Sequence, residues 1–170
     1  MADKYLKVGT GVDPTEEQEA TVVSSGAGNA GDIVALDTGG KLDITVLPSG
    51  LGPEVQSIAT SESLSAGDFV NIWNNTGTAA VRKADATTTG KPADGFVLAG
   101  ASFPGTVTVY FEGINNQVTG LTIGTQWLST TAGLPTATRP TATGNVQQPI
   151  GTSTSATSMI FVRGDSIKLA

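Results

Sequence analysis

The chain has 170 residues and a formal charge of −6, from 15 acidic and 9 basic side chains, and it contains neither cysteine nor histidine. Those two absences exclude a thiolate nucleophile, a Ser-His-Asp triad, a disulfide framework and a zinc site of the usual nitrogen and sulfur ligands. Charged residues make up only 14% of the chain, while Gly and Thr together fill 47 positions, a bias toward short strands and tight turns.

With 38% hydrophobic residues the composition is that of a folded protein and not of a disordered one. The nine Lys and Arg are scattered and form no basic stripe, so nucleic acid is not expected as a partner. The start, Met1-Ala2-Asp3-Lys4-Tyr5-Leu6, lacks the apolar run of a signal peptide. No stretch approaches the roughly 18 apolar residues of a membrane span, and a soluble product made in the cytoplasm, with no membrane partner, is expected.

Residues 1–55 read as an extended, acidic, glycine-rich arm. Residues 1–50 hold eight of the fifteen acids but only one of the nine aromatics, Tyr5. Within the arm, Asp13-Pro14-Thr15-Glu16-Glu17-Gln18-Glu19-Ala20 predicts one short helix, with Asp13 as N-cap, Pro14 at the first helical position and carboxylates in the first turn. The segment from Thr21 to Pro53 predicts extended chain with turns at Gly26 to Gly31 and at Asp37-Thr38-Gly39-Gly40.

Residues 56–170 read as an all-β domain, a small antiparallel barrel or sandwich. Phe69-Val70-Asn71-Ile72-Trp73, then Asn74-Asn75-Thr76-Gly77, then Thr78 to Arg82 predict a hairpin with a four-residue loop. Thr106 to Phe111 alternates, placing Val107, Val109 and Phe111 on one face. Phe96-Val97-Leu98, Gln126-Trp127-Leu128-Ser129 and Met159-Ile160-Phe161-Val162 are further strand candidates. Between Thr130 and Gly144, Pro135 and Pro140 confine the chain to a loop or a sheet edge.

Candidate chemistry is sparse. Gly26-Ala27-Gly28-Asn29-Ala30-Gly31 is a literal G-x-G-x-x-G, but only Asp32-Ile33-Val34-Ala35-Leu36 separates it from the next turn, which leaves no room for the helix that would hold a pyrophosphate. No cofactor and no metal are expected. Glu112 is the only acid between Gly95 and Val162, and a lone carboxylate cannot supply both acid and base, so no catalytic residue is assigned. Glu112 is expected at a strand end, facing water or paired with Arg139 or Arg163.

Across the 68 residues from Gly95 to Val162 the only charges are Glu112 and Arg139, which suggests that much of this surface meets another chain. Trp73, Tyr110 and Trp127 are candidates for a sugar-stacking platform, with packing in the core or against another subunit the favoured reading.

The segment Ala35-Leu36-Asp37-Thr38-Gly39-Gly40-Lys41-Leu42-Asp43-Ile44-Thr45-Val46-Leu47-Pro48-Ser49-Gly50 resembles a connector of phage virion proteins. Leu64-Ser65-Ala66-Gly67-Asp68-Phe69-Val70-Asn71-Ile72, Val81-Arg82-Lys83-Ala84-Asp85-Ala86, Pro92-Ala93-Asp94-Gly95-Phe96-Val97, Gly105-Thr106-Val107-Thr108-Val109, Gln148-Pro149-Ile150-Gly151 and Ile160-Phe161-Val162-Arg163-Gly164-Asp165 are similar, in kind and order, to phage capsid decoration (cement) proteins with a β-tulip domain. That resemblance implies a non-enzymatic virion structural protein on the capsid exterior. Its partners would be the major capsid protein and further copies of itself, as a homotrimer. The alternative it leaves is a head- or tail-fibre domain that recognises host glycans. Tyr5, Leu36, Leu42, Leu47, Trp73, Tyr110 and Trp127 are the candidate contacts to capsid or neighbouring subunits.

Overall fold

The computed structural model describes residues 3–8, 15–47, 52, 54–87 and 90–170. The chain forms two compact units, Met1–Gly52 and Pro53–Ala170. Both are built from strands and turns, and the protein is all-β.

In the first unit, β1 (Lys4–Val8) and β2 (Thr15–Glu19) pair antiparallel, with Lys4 opposite Glu19 and Lys7 opposite Glu16. The expected helix is therefore a strand from Thr15 to Glu19, while Asp13 and Pro14 lie outside the described residues. The reason is visible in the pairing. An eight-residue helix cannot sustain itself, whereas a strand of three glutamates finds lysines across the ladder, including the Lys4–Glu17 ion pair.

Both expected turns are present. Ala27–Asn29 makes one 3-10 turn, closed by Asn29 Oδ1 accepting from the Ser25 amide at 2.7 Å. At the second, Asp37 Oδ1 accepts from the amides of Gly39 (2.8 Å) and Lys41 (2.9 Å), an Asx turn. Asp43 then caps the 3-10 turn Ile44–Val46, accepting from the Thr45 amide at 2.9 Å. Pro48, Ser49 and Gly50 of the connector lie outside the described residues.

The second unit has a closed barrel and a separate sheet. The barrel runs β3 (Val55–Thr60), β5 (Thr78–Lys83), β4 (Phe69–Asn75), β6 (Gly95–Val97), β7 (Thr106–Tyr110) and back to β3. A ring of five strands cannot alternate direction throughout, so one neighbouring pair must be parallel. It is β3–β5, with Ala59 opposite Ala80. The other four pairs are antiparallel, so the expected small antiparallel barrel is present with this one parallel closure.

The β4–β5 turn is also tighter than expected. Asn75 pairs with Thr78, leaving only Thr76 (φ 52) and Gly77 (φ 91) in the loop, two successive positive φ angles as in a type I′ hairpin. Inside the barrel, Ile58, Leu64, Val70, Val81, Val97, Val107 and Val109 form one aliphatic cluster, which matches the alternation read from Thr106 onward.

The remaining strands are β8 (Gly113–Asn115), β9 (Gly124–Leu128), β10 (Pro135–Thr136), β11 (Val146–Gln147), β12 (Pro149–Ser155), β13 (Ser158–Phe161) and β14 (Ile167–Lys168). Five of them make an antiparallel sheet in the order β10-β9-β12-β13-β8, with the proline strand at its edge, and β11 pairs with β14. The inner face of this sheet meets the barrel through Phe161, whose ring centroid lies 5.7 Å from that of Phe69 and 5.6 Å from that of Phe96. Leu128, Ile150 and Met159 complete this second core. Among the described residues no helix is long and apolar enough to cross a membrane.

Candidate interaction surfaces

The motifs behind the family resemblance are largely scaffold. Asp68 accepts from the Ser65 amide at 2.8 Å and pairs with Lys83 at 3.1 Å. Asp94 accepts from the Ile72 amide at 2.9 Å and from Asn71 Nδ2 at 3.0 Å, and it pairs with Arg163 at 2.9 Å. In Gln148-Pro149-Ile150-Gly151, Ile150 is core and the Gln148 side chain is fully buried against Ala93. Gly151 (φ 132) takes a conformation and a closeness to the Ile160 carbonyl, 2.0 Å from an added Cβ, that only glycine tolerates.

The three aromatic candidates are placed apart, on β4, β7 and β9, and make no ring contact with one another. Trp73 Nε1 donates to Ser61 Oγ at 3.0 Å, and the Arg82 guanidinium lies 4.7 Å over its ring. Tyr110 stacks on Phe96 at 5.4 Å and packs against the second core. Trp127 is half-buried, with the Arg139 guanidinium 5.7 Å from its ring. With Arg139 over Trp127 and Arg163 on Asp94, exposed Glu112 makes no ion pair among the described residues.

In the first unit, Tyr5 is half-buried and its hydroxyl accepts from the Ile33 amide at 3.3 Å. Leu36, Leu42 and Leu47 are 56, 51 and 36% exposed. Leu6, Val8, Val23, Ile33, Val34 and Ile44 are exposed as well, and no described residue of this unit is buried. Polar contacts hold its conformation instead. Asp32 accepts from Asn29 Nδ2 and Thr21 Oγ1, both at 3.1 Å, and these bonds, with Lys7 nearby, hold its carboxyl below the usual range.

A second surface was only partly legible in the sequence, as the neutral stretch from Gly95 to Val162. On the outer face of the five-stranded sheet, Ile114, Ile160, Thr152 and Thr125 stand opposite one another in a row across four strands. Ile114 and Ile160 are 60 and 44% exposed, and Val162 and Ile123 are exposed too. None of the five strands carries a charged residue. The signal was present in Met159-Ile160-Phe161-Val162: with Met159 and Phe161 facing the core, period-2 geometry turns Ile160 and Val162 outward.

Among the described residues no three carboxylates converge so as to hold a metal ion. No family model, no curated protein and no solved structure matches the chain.

Proposed function

We infer that this is a virion structural protein that decorates and stabilises a phage capsid by binding its outer surface as a homo-oligomer. The observation that carries the reading is the first unit: its described residues bury no side chain and expose nine large apolar ones. Turns and surface hydrogen bonds contribute little net free energy, so a segment of this kind gains its stability by laying those side chains on another surface. The major capsid protein is the proposed surface.

The uncharged outer sheet face supports the oligomer. On an acidic chain, copies meet at least electrostatic cost through a face without charge, and its isoleucines supply apolar area to bury. Bound across neighbouring capsid subunits, many copies favour the assembled shell over its parts by mass action.

The test is add-back to particles that lack the protein. Wild-type protein is expected to co-sediment with the particles and raise their heat resistance. The triple variant Leu36→Asp, Leu42→Asp, Leu47→Asp, altered only at exposed positions, is expected to stay in the supernatant. Equal attachment of the two proteins, or particles whose stability does not change on binding, would refute the reading.

A further inference from the structure

The second unit has a cleft of about 670 Å³ bounded by segments 65–68, 117–122 and 132–138, with Lys83 and Gln126 also in its lining. Backbone contacts pin its walls. Gly67 (φ 89) lies so near the Gln117 carbonyl that an added Cβ would sit 2.5 Å from it, and Gly133 (φ 80) is as tight against the Asp68 carboxylate, at 2.6 Å. The Phe69 amide donates to the Gly133 carbonyl at 2.8 Å, and the Ser129 amide to the Leu134 carbonyl at 3.0 Å. Walls tied at these points keep their shape when the cleft is empty, so a ligand is met with little ordering cost.

The lining is polar and close to neutral. The Lys83 charge is balanced by buried Asp68 at 3.1 Å, a pairing that uses one of the three ammonium donors. Thr119, Thr122 and Thr136 add hydroxyls, and no aromatic ring lines the cleft. Gln126 is 1% exposed. Its Nε2 donates to the Thr122 carbonyl at 2.6 Å and to Ser153 Oγ at 3.1 Å, which settles the orientation of the amide. Its Oε1 is the one buried side-chain polar atom among the described residues that has no partner. Protein interiors leave few such acceptors unpaired, and this one belongs to a residue lining a preformed cleft.

A balanced charge pair, several hydroxyls and a volume suited to one or two sugar rings call for an uncharged ligand rich in hydroxyl groups. We propose that the cleft is a carbohydrate-binding site that takes a neutral mono- or disaccharide through its hydroxyls. Lys83 and the threonines exchange hydrogen bonds with the sugar, above the buried amide of Gln126. With no ring to stack on, single-site affinity is of roughly millimolar order, and display in many copies raises it. The site lies wholly in the second unit and does not depend on the capsid reading.

The test is saturation-transfer NMR on the full chain with glucose, galactose, mannose, N-acetylglucosamine and lactose, each at about 10 mM. Transfer to at least one of them is expected. It is expected to be lost in Thr119→Trp, where a ring placed on an exposed loop position fills the cleft, and kept in Thr154→Trp on the exposed side of β12. Thermal melts establish that each variant is folded, and Thr138→Trp on the facing loop replaces Thr119→Trp if that variant melts early. No transfer to any of the five sugars would overturn the proposal. So would a signal that survives in a folded cleft variant, or a crystal soaked in the responding sugar that holds only an ordered water beside Gln126.

Discussion

Gln148 offers a direct test of how the second unit is held together. Its Oε1 accepts from the Ala93 amide at 2.7 Å, and its Nε2 donates to the Ala93 carbonyl at 2.9 Å and to the Gly164 carbonyl at 3.2 Å. Gln148 and Ala93 are both fully buried, so water cannot replace these bonds. Gln148→Met keeps the length and volume of the side chain and removes all three. Two buried backbone groups of Ala93 are then unpaired, at about 1–3 kcal/mol each. Gly164 is only partly buried, and its carbonyl loses less. Allowing for the more favourable burial of a thioether, the net loss is about 2–5 kcal/mol, a large share of the roughly 5–15 kcal/mol that ordinarily stabilises a domain. Both tryptophans, Trp73 and Trp127, belong to the second unit, so urea unfolding followed by their fluorescence reports on that unit alone. With an m-value of about 1.5–2 kcal/mol/M, the midpoint is expected to fall by about 1–3 M. A shift below about 0.3 M would show that the Ala93 clamp contributes little, and would refute the reasoning from unpaired backbone groups.

Gly151→Ala places a Cβ 2.0 Å from the Ile160 carbonyl at a φ of 132, and is expected to cost about 3 kcal/mol or more, read as a drop in the thermal midpoint; an unchanged midpoint would contradict the geometry. Asp32 is held below its ordinary 3.8 chiefly by Asn29 and Thr21, and Asp43 chiefly by the hydroxyl and amide of Thr45. Depressed carboxyl values stabilise the folded form above 3.8 and lose that contribution as pH falls through the folded value, so carboxyl NMR titration is expected to give midpoints below 3.8 for both, and values at or above it would remove these two turns as anchors. Ile160→Glu, a charge on the outer sheet face, is expected to reduce the sedimenting mass to that of one chain and to remove the concentration dependence of the thermal midpoint; an unaltered assembly would exclude this face as the contact between copies.

The parts of the fold that were legible in the sequence are those governed by neighbours in the chain. Alternation from Thr106 to Phe111 placed Val107 and Val109 inside, and Asp37-Thr38-Gly39-Gly40 announced its turn, because both depend on a few adjacent residues. Thr15 to Glu19 was misread since its composition favours a helix, and the lysines that hold it as a strand sit across the ladder on β1. Barrel closure through β3 and β5 was invisible for the same reason, as was the Gln148–Ala93 clamp, which joins residues 55 apart in the chain. The cleft draws on five separate segments, and its polar residues are unremarkable until the fold brings them together. The outer sheet face was partly legible: neutrality from Gly95 to Val162 pointed to a contact surface, but the strands carrying it were identified only once the sheet order was known.

Charge separates the two units more sharply than their folds do. Eight acids against three lysines leave five of the six net negative charges in residues 1–50, so the remainder of the chain, with seven acids and six bases, is close to neutral. Self-association through the first unit would set five like charges against five, at separations where salt screens them only in part. Self-association through the second unit meets almost no such repulsion, and on the outer sheet face none from the strands themselves. The exposed leucines of the first unit are therefore poorly placed to bury one another between copies, and better suited to a surface of different chemistry. That asymmetry favours a division in which the neutral unit joins like to like and the acidic unit attaches to something else, as the proposed decorating role requires.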